Sequence, residues 1–231
     1  MNTLTVGDLT FELRRSHRRR HSEIVVDRDG TLLLMAPSHV PLEALAEMAE
    51  ERRLWVYRKL AQKDLLRTDP PEKEFVTGEG FLYLGRSYRL LLVDDQEQPL
   101  KLEQGRFKLR RSNAADGRRC FTRWYTERGQ SWMKRRAALW VRRLDGAVNE
   151  VVVRDLGYRW GSCGKDGRLN FHWRTVLLPP DIIDYVIVHE LAHLHEPNHT
   201  AEFWRRVERA MPDFGERKTW LALNGGEMTG V

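Results

Sequence analysis

The sequence predicts an α+β protein. Short apolar runs separated by glycine turns fill much of the first half, long helical patterns flank them, and a strongly apolar helix lies near the C-terminus. Residues 4–13 alternate loosely, Ile24-Val25-Val26 and Leu32-Leu33-Leu34-Met35 are strand-like, and Asp29-Gly30 between them is a hairpin signal. Pro41 opens a helical stretch over residues 41–66, with Leu42, Leu45, Met48, Leu54 and Tyr57 at helical spacing. Residues 67–74, rich in proline and charge, read as a linker. Strands return over residues 75–111, with turns at Gly85 and Gly105.

A polar break at residues 112–117 is the best internal boundary. It divides the chain into a β-rich N-terminal part with one long helix, residues 1–115, and a second domain, residues 116–231. The second part opens with a helix over residues 119–144, carrying Trp124, Trp132, Leu139 and Trp140. Val151-Val152-Val153 is a strand, and the arms 158–163 and 169–178 flank a hairpin turn at residues 164–167. No internal repeat is visible in the residues.

Composition bounds the function. The chain has 231 residues, 41% hydrophobic and 31% charged, which suits a globular fold with a real core. No apolar run approaches the roughly 18 residues of a membrane span. The first residues lack a basic region followed by an apolar one, so the expected compartment is the cytoplasm. Cys120 and Cys163 are too few for a disulfide framework and are expected to be reduced. Net charge is +6, from 31 Arg and 8 Lys against 33 acidic residues. That excess admits a nucleotide or nucleic acid as partner. The densest cluster, Arg14-Arg15-Ser16-His17-Arg18-Arg19-Arg20-His21, is equally what a solvated hairpin would carry.

Chemistry concentrates after Pro179-Pro180-Asp181. Ile182, Ile183, Val186, Ile187, Leu191 and Leu194 make the following helix apolar on most sides, so it belongs in a core. Into it the chain sets His189-Glu190-Leu191-Ala192-His193. Residues four apart share a helical face, so two imidazoles can converge on one ion. Glu190 stands about 100° round from His189, beside such an ion rather than on it, where a general base belongs.

A catalytic zinc site takes a third protein ligand and leaves one position open. His199, six residues after His193, stands where H-E-x-x-H-x-x-G-x-x-H places its third histidine. Glu196 occupies the glycine position of that pattern, while Pro197-Asn198 supplies another way to turn the chain. Glu196, Glu202 and Glu208 are rival third ligands. His195 lies about 200° round the helix from His193 and faces away.

With these residues in place the chain resembles the YgjP-like metallopeptidase family, a relative of the SprT-like group. The resemblance rests on residues 189–194 with Asn198-His199 and Phe203-Trp204, preceded by Trp160-Gly161-Ser162-Cys163 and Asp184-Tyr185-Val186. More weakly, it extends to Asp29-Gly30, Trp55, Tyr83-Leu84-Gly85 and Tyr88. It implies a zincin-like α+β catalytic domain, Zn2+ held by His189, His193 and His199, and Glu190 as the catalytic glutamate. It also implies that the hairpin 158–178 flanks the site, where an edge strand can pair with extended substrate.

The expected reaction is zinc-dependent peptide hydrolysis, with Glu190 as general base toward zinc-activated water. Tyr158, His172, Arg174 and Tyr185 are the candidate oxyanion donors. Cys163 reads as a small buried thiol. The expected partner is a polypeptide substrate, with no membrane. The rival readings are a metal-dependent phosphohydrolase of nucleotides and a basic nucleic-acid-associated zinc protein.

Overall fold

The computed structural model describes residues 3–27, 30–66, 72–157, 159–228 and 231, with backbone only for residues 61–66. Asp29 of the expected turn, residues 67–71 of the expected linker and Tyr158 lie outside the described residues. The chain forms a mixed α/β structure in two compact units, Met1–Thr68 and Asp69–Val231.

The first unit builds a four-stranded sheet in the order β1-β2-β4-β3 from β1 (Thr3–Val6), β2 (Leu9–Ser16), β3 (Glu23–Val26) and β4 (Leu32–Pro37). β2 and β4 run parallel at its centre, with Leu13 opposite Leu34, and the outer pairs are antiparallel. The helical stretch expected over residues 41–66 is two helices, α1 (Leu42–Glu51) and α2 (Arg53–Leu66), meeting at Arg52. Arg52 sits at φ −95° and ψ 2°, outside ideal helical geometry. Phe11, Leu34, Leu45, Ala49 and Val56 form this unit's core.

The second unit begins with the same scheme. β5 (Gly80–Tyr83), β6 (Arg86–Val93), β7 (Leu100–Glu103) and β8 (Arg106–Arg110) take the order β5-β6-β8-β7, again with the central pair parallel. The two halves thus share a strand plan that the residues themselves do not repeat. A 3₁₀ turn over Arg111–Asp116 leads into α3 (Gly117–Leu144). β9 (Glu150–Arg154), β10 (Gly161–Cys163) and β11 (Arg168–His172) form a third sheet, ordered β10-β11-β9, with β10 at the edge. Three helices follow: α4 (Pro180–Ala192), α5 (Ala201–Ala210) and α6 (Phe214–Asn224).

The division at residues 115/116 therefore does not coincide with the compact units. Phe81 of β5 stacks on Phe121 of α3 with ring centroids 4.0 Å apart, and Phe107 of β8 packs edge-on against Phe121 at 4.9 Å. These rings belong to one core with Tyr125, Phe171 and Ile187. Burial of aromatic surface holds the second sheet to α3, and the polar break is only a turn within that unit.

The arm expected over residues 169–178 also changes character. β11 ends at His172, and Trp173–Leu177 forms a 3₁₀ turn. The His172 imidazole accepts from the Arg174 N–H at 3.0 Å and so caps that turn. The Thr175 hydroxyl donates to the Trp160 carbonyl at 3.0 Å. These side-chain bonds take the place of the sheet ladder.

Candidate metal centre

Pro180 occupies the first turn of α4, where its missing N–H costs nothing. The helix then buries nearly every side chain, including Ile183, Val186, Ile187 and Leu191. Arg136 of α3 fixes its middle by a two-pronged ion pair, Nε to Asp184 Oδ1 and Nη2 to Oδ2, both at 2.6 Å. His189 and Glu190 occupy the last turns, and His193 is the C-cap.

The chain then reverses. Leu194, His195 and Glu196 make short-range bonds back to Leu191 and Ala192, and His193 Nδ1 lies 3.0 Å from the Glu196 carbonyl. The Glu196 carboxylate accepts from the Asn198 N–H at 3.3 Å. Thr200 caps α5, its hydroxyl accepting from the Phe203 N–H at 3.3 Å. The turn returns His199 to the helix, with its Nε2 2.9 Å from His189 Nε2. One nitrogen from each of His189, His193 and His199 lies within 4.8 Å of the other two.

The rivals are placed elsewhere. Glu196 serves the turn, Glu202 pairs with Arg205 and Arg206 at 3.1 and 3.5 Å, and Glu208 is exposed. His195 turns away to the Leu144 carbonyl, with Nε2 at 2.9 Å.

The donor set suits a zinc-sized ion. Because His193 Nδ1 is occupied by a carbonyl, its Nε2 is free to present a lone pair. His189 Nδ1 is buried without a partner, and two imidazole nitrogens face one another at 2.9 Å. Tetrahedral zinc at its usual bond length of about 2.0–2.1 Å holds such nitrogens about 3.4 Å apart. That spacing falls between the shortest and longest separations here. Phe203, fully buried, lies 4.6 to 5.0 Å from all three imidazole rings, and Trp204 stacks on His199 at 5.7 Å.

Electrostatics follow from this enclosure. Burial, then the neighbouring histidines and Lys218, depresses His189 to about 3, and the same causes lower His199. Both rings are therefore neutral at physiological pH, the form a metal requires. Burial raises Glu190 to about 8, opposed by Arg159 and by the Cys163 N–H bonded to its carboxylate. Glu190 leans on β10, where a Cβ on Gly161 would lie 2.7 Å from Glu190 Cγ. The half-buried Cys163 thiol rises to about 11 through burial and the Glu190 charge, so it is inert at neutral pH.

Among the described oxyanion candidates, His172 is 2% exposed and engaged at both nitrogens, by the Arg174 N–H and by Asp155 at 3.2 Å. Arg174 lies over the Trp173 ring at 5.2 Å. Tyr185 packs against His189 at 6.0 Å, and burial followed by the Glu190 charge pushes it up to about 12.

Sequence reasoning missed three contributors. Gly161 makes room for Glu190, Phe203 walls the histidines, and Lys218 lies 4.0 Å over the Trp204 ring that stacks on His199. Gly161 and Phe203 each left a signal, in Trp160-Gly161-Ser162-Cys163 and Phe203-Trp204, but not one that told these roles, and Lys218 left none.

Comparison with known proteins bears on this arrangement. Among solved structures, the metallopeptidase zymogen of Pyrococcus abyssi abylysin shares 23% identity over 38% of this chain and 90% of its own, with a TM-score of 0.36. Among curated proteins none matches this chain. The YgjP-like, metallopeptidase domain matches residues 20–224, which take in the second and third sheets, α3 and the whole histidine cluster. This chain belongs to the YgjP-like metallopeptidase domain family.

Proposed function

We propose that the protein is a zinc-dependent peptidase with a zincin-like catalytic domain, in which His189, His193 and His199 hold the metal and Glu190 is the general base. The observation that carries this reading is the convergence of three imidazoles, one of them returned by the turn at residues 196–199, next to the buried Glu190 carboxylate. Zinc in such a site supplies Lewis acidity, making water more acidic and a carbonyl more electrophilic.

The protein's own groups do the rest. The Cys163 N–H and the bare face of Gly161 fix Glu190 beside the cluster, where its carboxylate takes a proton from water and returns it to the leaving amine. A dication at the histidines favours that carboxylate over its protonated form. β10 is an edge strand, and its outer backbone groups, apart from the Cys163 N–H that serves Glu190, pair with a peptide held in extended form. Of the candidate oxyanion donors, this reading takes Tyr185, because its ring packs 6.0 Å from His189. One metal site with one carboxylate suits amide hydrolysis better than phosphoryl transfer, where paired metals are common.

The test is to measure bound metal and hydrolysis together. Wild type should carry about one zinc per chain and cleave unfolded protein. Glu190→Gln should keep the zinc and lose cleavage by at least about 10²-fold. Release of phosphate from nucleotides, with no cleavage of polypeptide, would overturn the peptidase reading and leave the metal site standing.

A further inference from the structure

α3 carries nine cationic residues and one acidic residue, Glu127, and Glu127 is bound to Arg123 at 2.7 Å. From its middle onward the helix buries Gly129, Met133 and Ala137 on one side and leaves the opposite side exposed. Along that exposed side stand Arg128, Arg135 and Arg142, seven residues apart and therefore on one line. At about 1.5 Å per residue the line is about 21 Å long. Among the described residues none of the three is in an ion pair or a hydrogen bond, whereas Arg119 and Arg123 at the start of the same helix pair with Asp116 and Glu127.

The line has aromatic neighbours. Tyr83 of β5 packs edge-on against Trp124 at 5.0 Å and lies within the field of both Arg128 and Arg135. Opposite Tyr83 across the hairpin, hence on the same sheet face, is Arg86, exposed and also unpaired. Trp132, half-exposed, borders the line under Arg136. Three guanidiniums in a row, the first lying over the Trp124 ring at 5.8 Å, with Arg86 as a fourth beside Tyr83 and none of them in an ion pair, are what a flexible polyanion with stackable bases needs. Arginine suits this task because its planar fork meets two phosphate oxygens at once.

We infer that this face of α3, with Arg86 and Tyr83 of the β5–β6 hairpin, binds the backbone of single-stranded nucleic acid. An anionic membrane is the weaker fit, because insertion needs a row of exposed apolar side chains and the face offers only Leu139. The basic loop Arg14 to His21 is a separate feature of the first unit. Of its arginines, Arg14, Arg15 and Arg19 are committed to Glu12, to the carbonyls of Ser38 and Val40, and to Glu23.

The experiment is fluorescence anisotropy of a labelled mixed-sequence 20-nucleotide DNA strand with the full-length protein, from 50 to 200 mM salt. Four phosphate contacts on a single strand give a log–log salt slope of about −3, so affinity should fall about 50-fold across that range. Arg128→Glu/Arg135→Glu/Arg142→Glu should weaken binding more than about tenfold at the lower salt. The corresponding three-glutamine variant, which introduces no repulsion, should weaken it less but in the same direction. Arg18→Glu/Arg20→Glu should leave it within about twofold. The inference is overturned if the loop variant loses binding and the α3 variants keep it. It is equally overturned if wild type shows no salt-dependent binding, or if the α3 variants lose affinity only for phosphatidylserine vesicles. These readouts do not depend on bound zinc or on cleavage, so they can fail while the peptidase reading holds.

Discussion

Gly161 and Glu190 face each other so closely that a single added carbon would strike the carboxylate side chain, at 2.7 Å from Cγ and 2.8 Å from Oε1. β10 thus shapes the position of the base through the absence of a side chain. Gly161→Ala should leave zinc content unchanged and lower kcat/KM by about 10²-fold, the usual result of displacing a reacting group by about 1 Å. Activity within twofold of wild type would mean that Glu190 tolerates the shift and that β10 does not position it.

The pH dependence of the metal-free fold should report the same carboxyl. Glu190 is raised from 4.5 to about 8 by burial, so the folded state favours its neutral form. Its contribution to stability is fully present below about pH 4.5 and is lost as pH rises through about 8. In chelator, Glu190→Gln should therefore match wild type near pH 4.5 and exceed it above pH 8 by on the order of a few kcal/mol. Thermal melting at both pH values checks this, and a difference that does not grow with pH would contradict it.

Much of the histidine cluster was legible because its geometry is local. Two histidines four apart on an apolar helix, a glutamate beside the first and a proline-asparagine turn before His199 need only helical geometry to be read. What could not be read depends on distant contacts. The Phe81–Phe121 stack joins residues forty positions apart and leaves no periodic trace, so the polar break near Ser112 looked like a boundary. The shared strand plan is hidden for a related reason. Thr10 and Ser87 or Phe11 and Tyr88 fill corresponding hairpin positions with different side chains, and only the pairing of strands recurs.

Loss of His199 should be read through stability as well as metal content. A ligand bound only by the folded state stabilises it by RT ln(1 + [L]/Kd), about 2.7 kcal/mol at a hundredfold excess over Kd. Zinc should raise the wild-type Tm by several degrees and the His199→Ala Tm by much less. Glu202→Gln, altering a carboxylate committed to Arg205 and Arg206, should respond like wild type. A full zinc response in His199→Ala would move the third ligand elsewhere.

The Arg136–Asp184 pair should behave as a buried clamp on α4. Asp184 is only 6% exposed in its side chain, so Arg136→Met leaves a carboxylate without its partner, at a cost of about 3 kcal/mol in urea unfolding. Arg136→Met/Asp184→Leu should recover most of that loss, since well-packed apolar residues replace buried ion pairs at little penalty. A double variant no more stable than the single one would show that the pair does more than satisfy its own charges.

The hairpin turn at Leu84-Gly85 reaches the start of α4. Its two N–H groups donate to the carbonyls of Val176 and Leu177 at 2.7 and 3.1 Å, and a Cβ on Gly85 would lie 2.9 Å from Pro179 Cα. The segment that carries every histidine of the cluster is therefore not self-sufficient. A piece excised at residue 116 would lose these two bonds and uncover Phe121 and Tyr125, whose ring neighbours lie on β5 and β8. The smallest autonomous catalytic fragment must begin before Phe75, which itself stacks on Phe81, and trimming toward the motif would yield an aggregating remnant rather than a minimal enzyme.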